Sequence, residues 1–380
     1  MILSKLKKIL FVSHDANRAG AQLFLLSVMK HFKAKGYEVI LLIINDWGNL
    51  KGELESQFEV YFLNQTAKPK KKSFLGSKKT ALEIIQNKHQ IDLIYLNTIA
   101  SVDLLPKLNS LFSAPIISHI HELQYSIAQY GPTNSMELLF NFSTKIIACS
   151  QAVADNLSLY KASDQLRVVH SFVENDQILD ICKKSDKAAI RTKYELTNDK
   201  IWICACGNAD WRKAPDIFLQ IAAATLKNSD KYGFLWIGIP NEGEHFDQLT
   251  YDANKFGVSA AIKWISPTKE AVEIINASDV FLVSSREDPF PLVVLEAALS
   301  EKPIFGFKNT GGADEFIDET CGYKADYLDV AQMSGEIIKL DTEKITKLGI
   351  NAKNKVLNNY GFNISIKKIE TIINEIIEKC

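Results

Sequence analysis

Short apolar segments rich in β-branched residues alternate with amphipathic, helix-like segments along the first half of the chain. This alternation is typical of a parallel sheet with helices on both faces. The strands predicted in this series are Ile9–Ser13, Glu38–Ile44, Glu59–Leu63, Leu93–Leu96, Ile116–His121, Ile146–Cys149 and Val168–Val169. A doubly wound, Rossmann-like α/β domain is therefore expected here.

A second alternating series follows in the other half of the chain. Its predicted strands are Ile201–Cys206, Phe234–Ile239, Ile262–Ile265, Val280–Val283 and Pro303–Phe307. Between the two series, the charged and helical stretch Glu174–Leu196 is typical of a connector between domains. We therefore predict two Rossmann-like α/β domains, 1–173 and 174–361, and two tail helices, Ile345–Asn359 and Ile364–Lys379.

Composition agrees with this division. With 380 residues, of which 47% are hydrophobic, the chain can fill two cores. Apolar stretches such as Val39–Ile44 and Pro115–Ile120 are far shorter than the ~20 residues that cross a bilayer. The segment Met1–Leu10 alternates lysine with leucine and isoleucine, so we expect no signal peptide and a mature protein that begins at or close to Met1.

The cysteines favour a cytoplasmic protein without a metal centre. Six cysteines are scattered without the paired spacing of zinc sites, and most lie in or beside apolar runs, where a thiol packs like a small hydrophobic group. We expect them to be reduced. Metal binding by Cys204 and Cys206 is the alternative, but a pair on one face of a strand lacks the other two ligands.

The net charge of −1 conceals an asymmetry. Residues 1–172 contain 19 lysines and arginines against 13 acidic residues, whereas the other residues contain 25 against 32. A basic first half predicts an anionic partner, either a lipid surface, a pyrophosphate-linked acceptor or nucleic acid. The densest basic segment is Lys68–Lys72; a solvated loop and a peripheral contact with an anionic membrane both fit it. Nucleic acid is not favoured, because Phe74 is the one aromatic residue nearby.

In doubly wound folds, ligands bind beyond the carboxyl ends of the strands. The first domain has two unusual segments there. In Ser13–Gln22, Gly20 permits a close backbone approach and a helix start offers free N–H groups to an anion, although an ordinary tight turn explains the segment equally well. His119 and His121 point to the same side of a strand end, which fits either a structural or a site role.

The second domain has a basic pair beside a helix start. Arg212 and Lys213 follow Gly207 and precede Pro215, which is suited to the first position of a helix. Cationic side chains together with free N–H groups suit a diphosphate, and a surface charge pair is the alternative.

The segment Ser284–Ala298 is the most informative. Glu287 and Asp288 follow a predicted strand, and Glu296 lies inside the next helix. Carboxylates accept paired hydrogen bonds from vicinal hydroxyls, so a sugar and a ribose are natural partners; a helix cap with a buried glutamate is the structural alternative. After the next strand, Gly311 and Gly312 again permit close approach to a phosphate or sugar.

Taken in this order, the segments resemble the retaining glycosyltransferases of family four, which have the GT-B fold with a cleft between two Rossmann-like domains. Asp288 and Glu296 have the spacing of the family's two acidic residues, with Asp288 where glutamate is usual. The resemblance implies that Asp288 or its neighbour Glu287 orients the hydroxyls of the transferred sugar, and that Glu296 holds the ribose.

The same resemblance assigns further roles. His121 corresponds to a histidine near the donor sugar, and helix 362–380 is expected to return to the first domain. At three positions the chain departs from the family's usual residues. Ala214 and Ala19 each replace a glycine, and Asn208 replaces an arginine. The donor-binding residues implied are Gly20, Gly207, Arg212, Lys213, Phe290, Pro291, Leu292, Glu296, Gly311 and Gly312.

We therefore expect a cytoplasmic glycosyltransferase that needs no cofactor or metal and that moves a sugar from a nucleotide-sugar to a saccharide or lipid-linked acceptor in surface polysaccharide or glycolipid synthesis. A sugar-nucleotide epimerase and a non-catalytic sugar-nucleotide-binding protein remain alternatives. A glycosidase that uses Asp288 and Glu296 leaves the basic pair unexplained.

Overall fold

The computed structural model describes residues 7–64 and 79–378. The membrane contact predicted for Lys68–Lys72 falls outside the described residues. The chain divides into two compact units. The N-terminal unit consists of the residues up to His170 and of those from Ile366 onward. The C-terminal unit spans Ser171–Ser365.

A parallel sheet of seven strands, counted over the described residues, forms the core of the N-terminal unit. The strands are β1 (Lys8–Ser13), β2 (Glu38–Asn45), β3 (Glu59–Asn64), β4 (Leu93–Asn97), β5 (Ile116–Ile120), β6 (Lys145–Ala148) and β7 (Leu166–Val168). Their order is β3-β2-β1-β4-β5-β6-β7, so the direction of winding reverses between β1 and β4. The apolar run of β1 is fully buried because helices cover both faces. The carboxyl ends of β1 and β4 therefore mark the topological switch point, where ligands bind in such sheets.

Helices alternate with these strands as the periodicity predicts. They are α1 (Gly20–Ala34), α2 (Lys51–Gln57), α3 (Ala81–Lys88), α4 (Leu105–Leu111), which a 3-10 helix (Ile99–Leu104) precedes, α5 (Gln124–Tyr130), α6 (Ser135–Phe142) and α7 (Gln151–Ser158).

A second parallel sheet forms the core of the C-terminal unit. Its strands are β8 (Ile201–Cys206), β9 (Tyr232–Ile237), β10 (Ile262–Ile265), β11 (Val280–Leu282), β12 (Ile304–Phe307) and β13 (Gly322–Ala325). Their order is β10-β9-β8-β11-β12-β13, so the winding reverses between β8 and β11. The switch point thus lies beside the turn that contains Arg212 and Lys213.

The remaining helices surround this sheet, except for the last. They are α8 (Asn175–Lys184), α9 (Lys187–Lys193), α10 (Pro215–Leu226), α11 (Glu244–Phe256), α12 (Ala271–Ala277), α13 (Leu292–Leu299), α14 (Gly312–Phe316), α15 (Val330–Ile337), α16 (Thr342–Lys355), which a π-helical turn (Val356–Tyr360) follows, and α17 (Phe362–Ile377). From Ile366, α17 belongs to the N-terminal unit, where Glu370 accepts a 2.8 Å hydrogen bond from His31.

The fold class is confirmed, since the chain forms two Rossmann-like units with parallel sheets. The sequence missed β13. The charged helical stretch Glu174–Leu196, interpreted as a connector, forms α8 and α9, which are grouped with the C-terminal unit and contact α12. Arg191 on α9 fixes it there through two 2.8 Å hydrogen bonds to Asp279. Over the part of the chain that is described, every helix is too short or too polar to traverse a bilayer.

Candidate active site

The turn after β8 is held close to the turn after β9. The carbonyl oxygen of Gly207 accepts a 2.8 Å hydrogen bond from the indole of Trp236. Gly238 has a φ of +112°, and a Cβ there would stand 2.5 Å from the Gly207 oxygen. Only glycine fits such a conformation at such a distance, so the close packing of these two turns fixes where the Arg212–Lys213 segment begins.

The backbone of that segment is tied to the chain that follows β11. The hydroxyl of Ser284 donates to the carbonyl oxygens of Lys213 and Ala214, both at 3.1 Å. The amide of Arg286 donates to the carbonyl of Arg212 at 2.8 Å. Ala214 itself is left-handed, with φ 57° and ψ 57°, which is unfavourable for a residue with a side chain. The strain explains why glycine suits this position, and the surrounding hydrogen bonds keep it in place.

A cluster of opposite charges forms at this point. The ammonium of Lys213 pairs with the carboxylate of Asp288, and Nη1 of Arg212 lies 3.9 Å from the same carboxylate. Arg212 also donates to the carbonyl of Glu287 at 3.3 Å, and Ser285 donates to Asp288 at 3.3 Å. Asp288 is only 4% exposed. The buried carboxylate of Asp288 thus offsets part of the charge of the basic pair.

The two glycines of the last segment are joined to the same turn. The backbone amide of Asp288 donates to the backbone carbonyl of Thr310 at 2.7 Å. The backbone amide of Gly312 donates to the backbone carbonyl of Asp288 at 2.9 Å. A Cβ on Gly312 would stand 2.2 Å from the carbonyl oxygen of Pro289. Gly311 has a φ of +115°. The acidic segment and the twin glycines therefore form one structural element.

The residues between Asp288 and α13 complete this element. The ring of Phe290 stacks on Tyr360 with centroids 5.7 Å apart. Pro291 precedes Leu292, the first residue of α13. Lys213, Asp288 and Pro291 line a cavity of only about 10 Å³, because the ion pair occupies the space between them.

Glu296 and Lys213 both lie near the thiol of Cys206. Burial and, next, the charge of Glu296 raise the pKa of Cys206 to about 12, and the charge of Lys213 opposes them. Burial also raises the pKa of Glu296 to about 7. Cys206 and the fully buried Cys204 are free thiols. The C-terminal unit thus brings together a basic pair and two carboxylates around one strand end.

The N-terminal unit has a polar network at the corresponding edge. His14 follows β1, and its ring contacts Thr98 at 2.9 Å and Gln22 at 3.1 Å. Gln22 also donates to Asp15 at 2.6 Å. Burial lowers the pKa of His14, although Asp15 opposes the shift. Gly20 begins α1 beside these groups.

The two histidines of β5 are stacked, with ring centroids 4.2 Å apart. Nε2 of His121 donates to the side-chain oxygen of Asn97 at 3.0 Å, since the Asn97 amide nitrogen itself donates to Ala21 at 3.1 Å. His119 contacts the hydroxyl of Tyr95 at 2.6 Å. Burial and the charge of His14 lower the pKa of His121 to about 3, and burial keeps the pKa of His119 well below its usual value. Both rings are therefore neutral at physiological pH.

Glu122 and Thr98 shape the backbone around these rings. The carboxylate of Glu122 accepts from the amides of His121, at 2.8 Å, and Ile99, at 3.1 Å. Thr98 has φ 71° and ψ 155°, a conformation that is rare for a β-branched residue. Strained residues of this kind cluster at functional sites.

A possible metal cluster lies away from this edge. Among the described residues, Glu38, Glu59 and His89 place ligand atoms close together, at the amino ends of β2 and β3. The two ring nitrogens of His89 face different carboxylates, at 3.1 Å and 3.3 Å, and Lys8 and Lys88 pair with those carboxylates. These contacts make the group an ion-pair network between strands.

Two family models match the chain and together span the turns described above. The model for Glycosyltransferase Family 4 matches residues 18–177, and the model for Glycosyl transferases group 1 matches residues 186–355. The chain belongs to the family 4, group 1 glycosyltransferases. The resemblance to this family seen in the sequence is thereby confirmed.

This glycosyltransferase is 24% identical over 201 residues to the D-inositol 3-phosphate glycosyltransferase of Segniliparus rotundus, a match that covers 52% of this chain and 44% of that protein. It is 27% identical over 149 residues to the amylovoran biosynthesis glycosyltransferase AmsD of Erwinia amylovora, covering 39% and 42%. The chain thus matches less than half the length of these relatives.

A likeness in structure extends over the whole chain. The crystal structure of Anabaena Alr3699/HepE in complex with UDP-glucose superposes with a TM-score of 0.80 and 20% identity, and the match covers 97% of this chain and 99% of that one. At this identity the likeness establishes the fold of the glycosyltransferase.

The structure of the glycosyltransferase groups most of the predicted site residues within their own units. Gly207, Arg212, Lys213, Asp288 and the twin glycines meet in the C-terminal unit, and Asn97 links His121 to the start of α1 in the N-terminal unit. The sequence missed Asn97, Thr98 and Glu122. Their one signal was that each polar residue directly follows or ends a buried strand.

Proposed function

We propose that this glycosyltransferase moves a sugar from a nucleoside-diphosphate sugar to a hydroxyl group of an acceptor, with retention of the anomeric configuration. The observation that carries the proposal is the meeting of Arg212, Lys213 and Asp288 where β8 ends and α10 begins. Cationic side chains beside a helix N-terminus suit a diphosphate. The UDP-glucose held by the Anabaena protein is consistent with a donor of this class.

In this proposal the diphosphate takes the place of Asp288 as the partner of Lys213. Glu296 accepts hydrogen bonds from the ribose, and the backbone at Gly311 and Gly312 lies against the donor. Asp288 or Glu287, once released from the basic pair, orients the sugar hydroxyls. Carboxylates suit this role because they accept two hydrogen bonds from vicinal hydroxyls.

The transfer step breaks the bond between the anomeric carbon and the diphosphate oxygen, and the electron pair leaves with the diphosphate. The acceptor oxygen forms its bond to the anomeric carbon on the same face, and its proton passes to the leaving phosphate oxygen. Arg212, Lys213 and the positive end of the α10 dipole stabilise the departing charge, so we propose that no metal is required.

We further propose that the acceptor is a saccharide or a lipid-linked sugar, and that the protein acts at the cytoplasmic face of a membrane in polysaccharide or glycolipid synthesis. The basic charge of residues 1–172 and the role of AmsD in amylovoran biosynthesis support this setting. Flotation with anionic vesicles tests it. We expect Lys70, Lys71 and Lys72 replaced together by alanine to reduce the floated fraction; unchanged flotation and activity would assign those lysines to a solvated loop.

The central experiment is a transfer assay on Lys213→Ala. Loss of the ammonium removes a contact that strengthens as the diphosphate leaves, so we expect kcat to fall by ~10²-fold or more. The matched control is Lys339→Ala, which removes an exposed lysine that pairs with Glu336 on the surface of the same unit. Near-normal turnover in Lys213→Ala would overturn the assignment.

Product analysis separates the proposal from its alternatives. Release of nucleoside diphosphate that depends on an added acceptor supports a glycosyltransferase. Conversion of the sugar nucleotide without an acceptor would identify an epimerase, and binding without any product would identify a binding protein.

A further inference from the structure

A second polar cavity lies in the C-terminal unit, at the edge of the sheet opposite to the active-site turns. It has a volume of about 570 Å³. Lys200 lies directly before β8, Asp279 directly before β11 and Lys302 shortly before β12, and all three line the cavity. Because the strands are parallel, these residues share the amino edge of the sheet, whereas Arg212 and Lys213 follow a carboxyl end. The cavity is therefore separate from the candidate donor site.

The carboxylates that line the cavity are already occupied. Asp279 accepts two 2.8 Å hydrogen bonds from Arg191. Glu301 pairs at 2.9 Å with Lys353, which lies outside the lining. Hydrogen bonds, first from the side chain of Thr197, lower the pKa of Asp199. The lining as a whole contains five lysine and arginine side chains against these three carboxylates, so positive charge is in excess.

Four lysines of the lining lack a carboxylate at ion-pair distance within the described residues. They are Lys187 on α9, Lys200, Lys231 and Lys302. Thr342, at the start of α16, completes the polar wall together with Thr346, whose hydroxyl donates to the Thr342 carbonyl at 2.8 Å. The cavity thus combines excess positive charge with neutral hydrogen-bond donors, which is the composition of an anion site.

Lys302 provides the second, independent observation. Its side chain is buried, with 7% of the residue exposed, and its ammonium makes one 2.7 Å hydrogen bond, to the carbonyl of Ser278. An ammonium has three donors. Burial, and next the charge of Lys187, lowers the pKa of Lys302 to about 8. A buried cation with spare donors at a cavity wall is costly unless an anion completes its coordination.

We propose that this cavity binds a small phosphorylated anion, whose phosphate group contacts Lys302 and Lys187. Its volume falls within the ~300–1,000 Å³ range of small-molecule sites, which exceeds the needs of a simple inorganic ion. A dianionic phosphate matches several unpaired ammonium groups better than a carboxylate does. The site is independent of the proposed transfer reaction, since it uses none of its residues.

Calorimetric titration with inorganic phosphate tests the site. The titration is to be done at fixed ionic strength on the Lys213→Ala variant, in which the candidate donor site lacks its lysine. In that background we expect saturable binding at one site per chain. Adding Lys302→Met should weaken it about tenfold or more, because it removes a charged hydrogen bond from a buried position.

Two surface variants keep the test independent of folding. Lys187→Ala, on the exposed side of α9, should weaken phosphate binding several-fold, whereas Lys183→Ala, an exposed lysine of α8 outside the lining, should leave it unchanged. The proposal is overturned if phosphate binds equally with and without Lys302 and Lys187. It is also overturned if Lys213→Ala alone abolishes all phosphate binding, which would place that binding at the donor site.

Titration of the full-length protein with glucose 6-phosphate and with glucose then distinguishes a sugar phosphate from free phosphate. Binding of glucose 6-phosphate more tightly than inorganic phosphate, with no binding of glucose, would identify a phosphorylated metabolite as the occupant. Equal affinities for the two phosphates would limit the site to the phosphate group, and binding of glucose alone would overturn the proposal.

Discussion

The carboxyl edges of the two sheets share a switch-point topology and differ in electrostatics. In the N-terminal unit, the switch point holds neutral imidazoles, amides and hydroxyls, and burial holds the pKa of His121 at about 3. The carboxylates beside them, Asp15 and Glu122, accept hydrogen bonds from Gln22 and from backbone amides. In the C-terminal unit, Lys213 and Asp288 form a buried ion pair, and Arg212 lies beside it. Cationic side chains thus lie at the C-terminal edge, which under the proposed function suits an anionic diphosphate there.

The largest effect that probes this comparison is expected from Gly312→Ala. The added Cβ would stand 2.2 Å from the carbonyl of Pro289, so the turn that holds Asp288 must move. We expect the KM for the donor to rise at least ~tenfold and the free energy of unfolding to fall by about 1–3 kcal/mol. Kinetics and urea unfolding measure the two quantities.

Gly335→Ala is the control for this substitution. Gly335 lies in α15 of the same unit, and a Cβ there meets no atom within 4 Å. We expect unchanged kinetics and a gain in stability of about 0.4–1 kcal/mol. If both variants behave alike, the close approach of Gly312 to the acidic turn has no part in donor binding.

The pH dependence of donor binding is the next effect in size. Because burial raises the pKa of Glu296 to about 7, its carboxyl group becomes protonated as the pH falls and no longer accepts two hydrogen bonds. We expect the donor KM to rise about tenfold between about pH 8 and about pH 6. His119 and His121 contribute no pH dependence over this range, because both rings stay neutral.

Glu296→Gln should abolish that dependence while it weakens binding at the higher pH. A profile that keeps its slope in this variant would assign the titration to another group. If His121→Gln instead removed the pH dependence of the donor KM, the contrast between the neutral and the charged edge would be contradicted.

The smallest effect is expected from Ala214→Gly. Relief of the left-handed conformation at φ 57° favours glycine by roughly 1–2 kcal/mol, and the greater freedom of glycine in the unfolded chain offsets about half of that. We expect a gain of up to about 1 kcal/mol in the free energy of unfolding. Ala223→Gly, in the middle of α10, should instead lose about 1 kcal/mol, and a loss at both positions would contradict the strain at Ala214.

The fold was largely predictable because most buried strands contain a continuous apolar run, such as Val39–Ile44. β13 escaped prediction because Gly322–Ala325 is an edge strand with a glycine and a lysine among four residues, and it has no apolar run. The helical character of Glu174–Leu196 was predicted, and the predicted second domain, 174–361, already included it. Its interpretation as a connector followed from its charge, which predicts exposure but does not predict whether a helix links two domains or covers one.

The sequence predicted which residue types form the candidate site, but it did not predict which side chains contact each other. The sequence placed Lys213 and Asp288 each after a predicted strand, but 75 residues separate them, and only the fold decides that their side chains meet. Asn97 is missed for a similar reason, since its role depends on orienting His121 from the adjacent strand. Such contacts between strands leave no spacing signal along the chain.

The pairing of Lys213 with Asp288 also has a consequence for selectivity among anions. Any solute that enters must first separate this carboxylate from its cation, and a weakly coordinating monoanion such as chloride does not repay that cost. A diphosphate carries enough charge, and enough oxygen atoms, to contact Lys213 and Arg212 at once. Under the proposed function, Asp288 thus competes with incoming anions for Lys213, and we expect chloride to compete poorly with the donor.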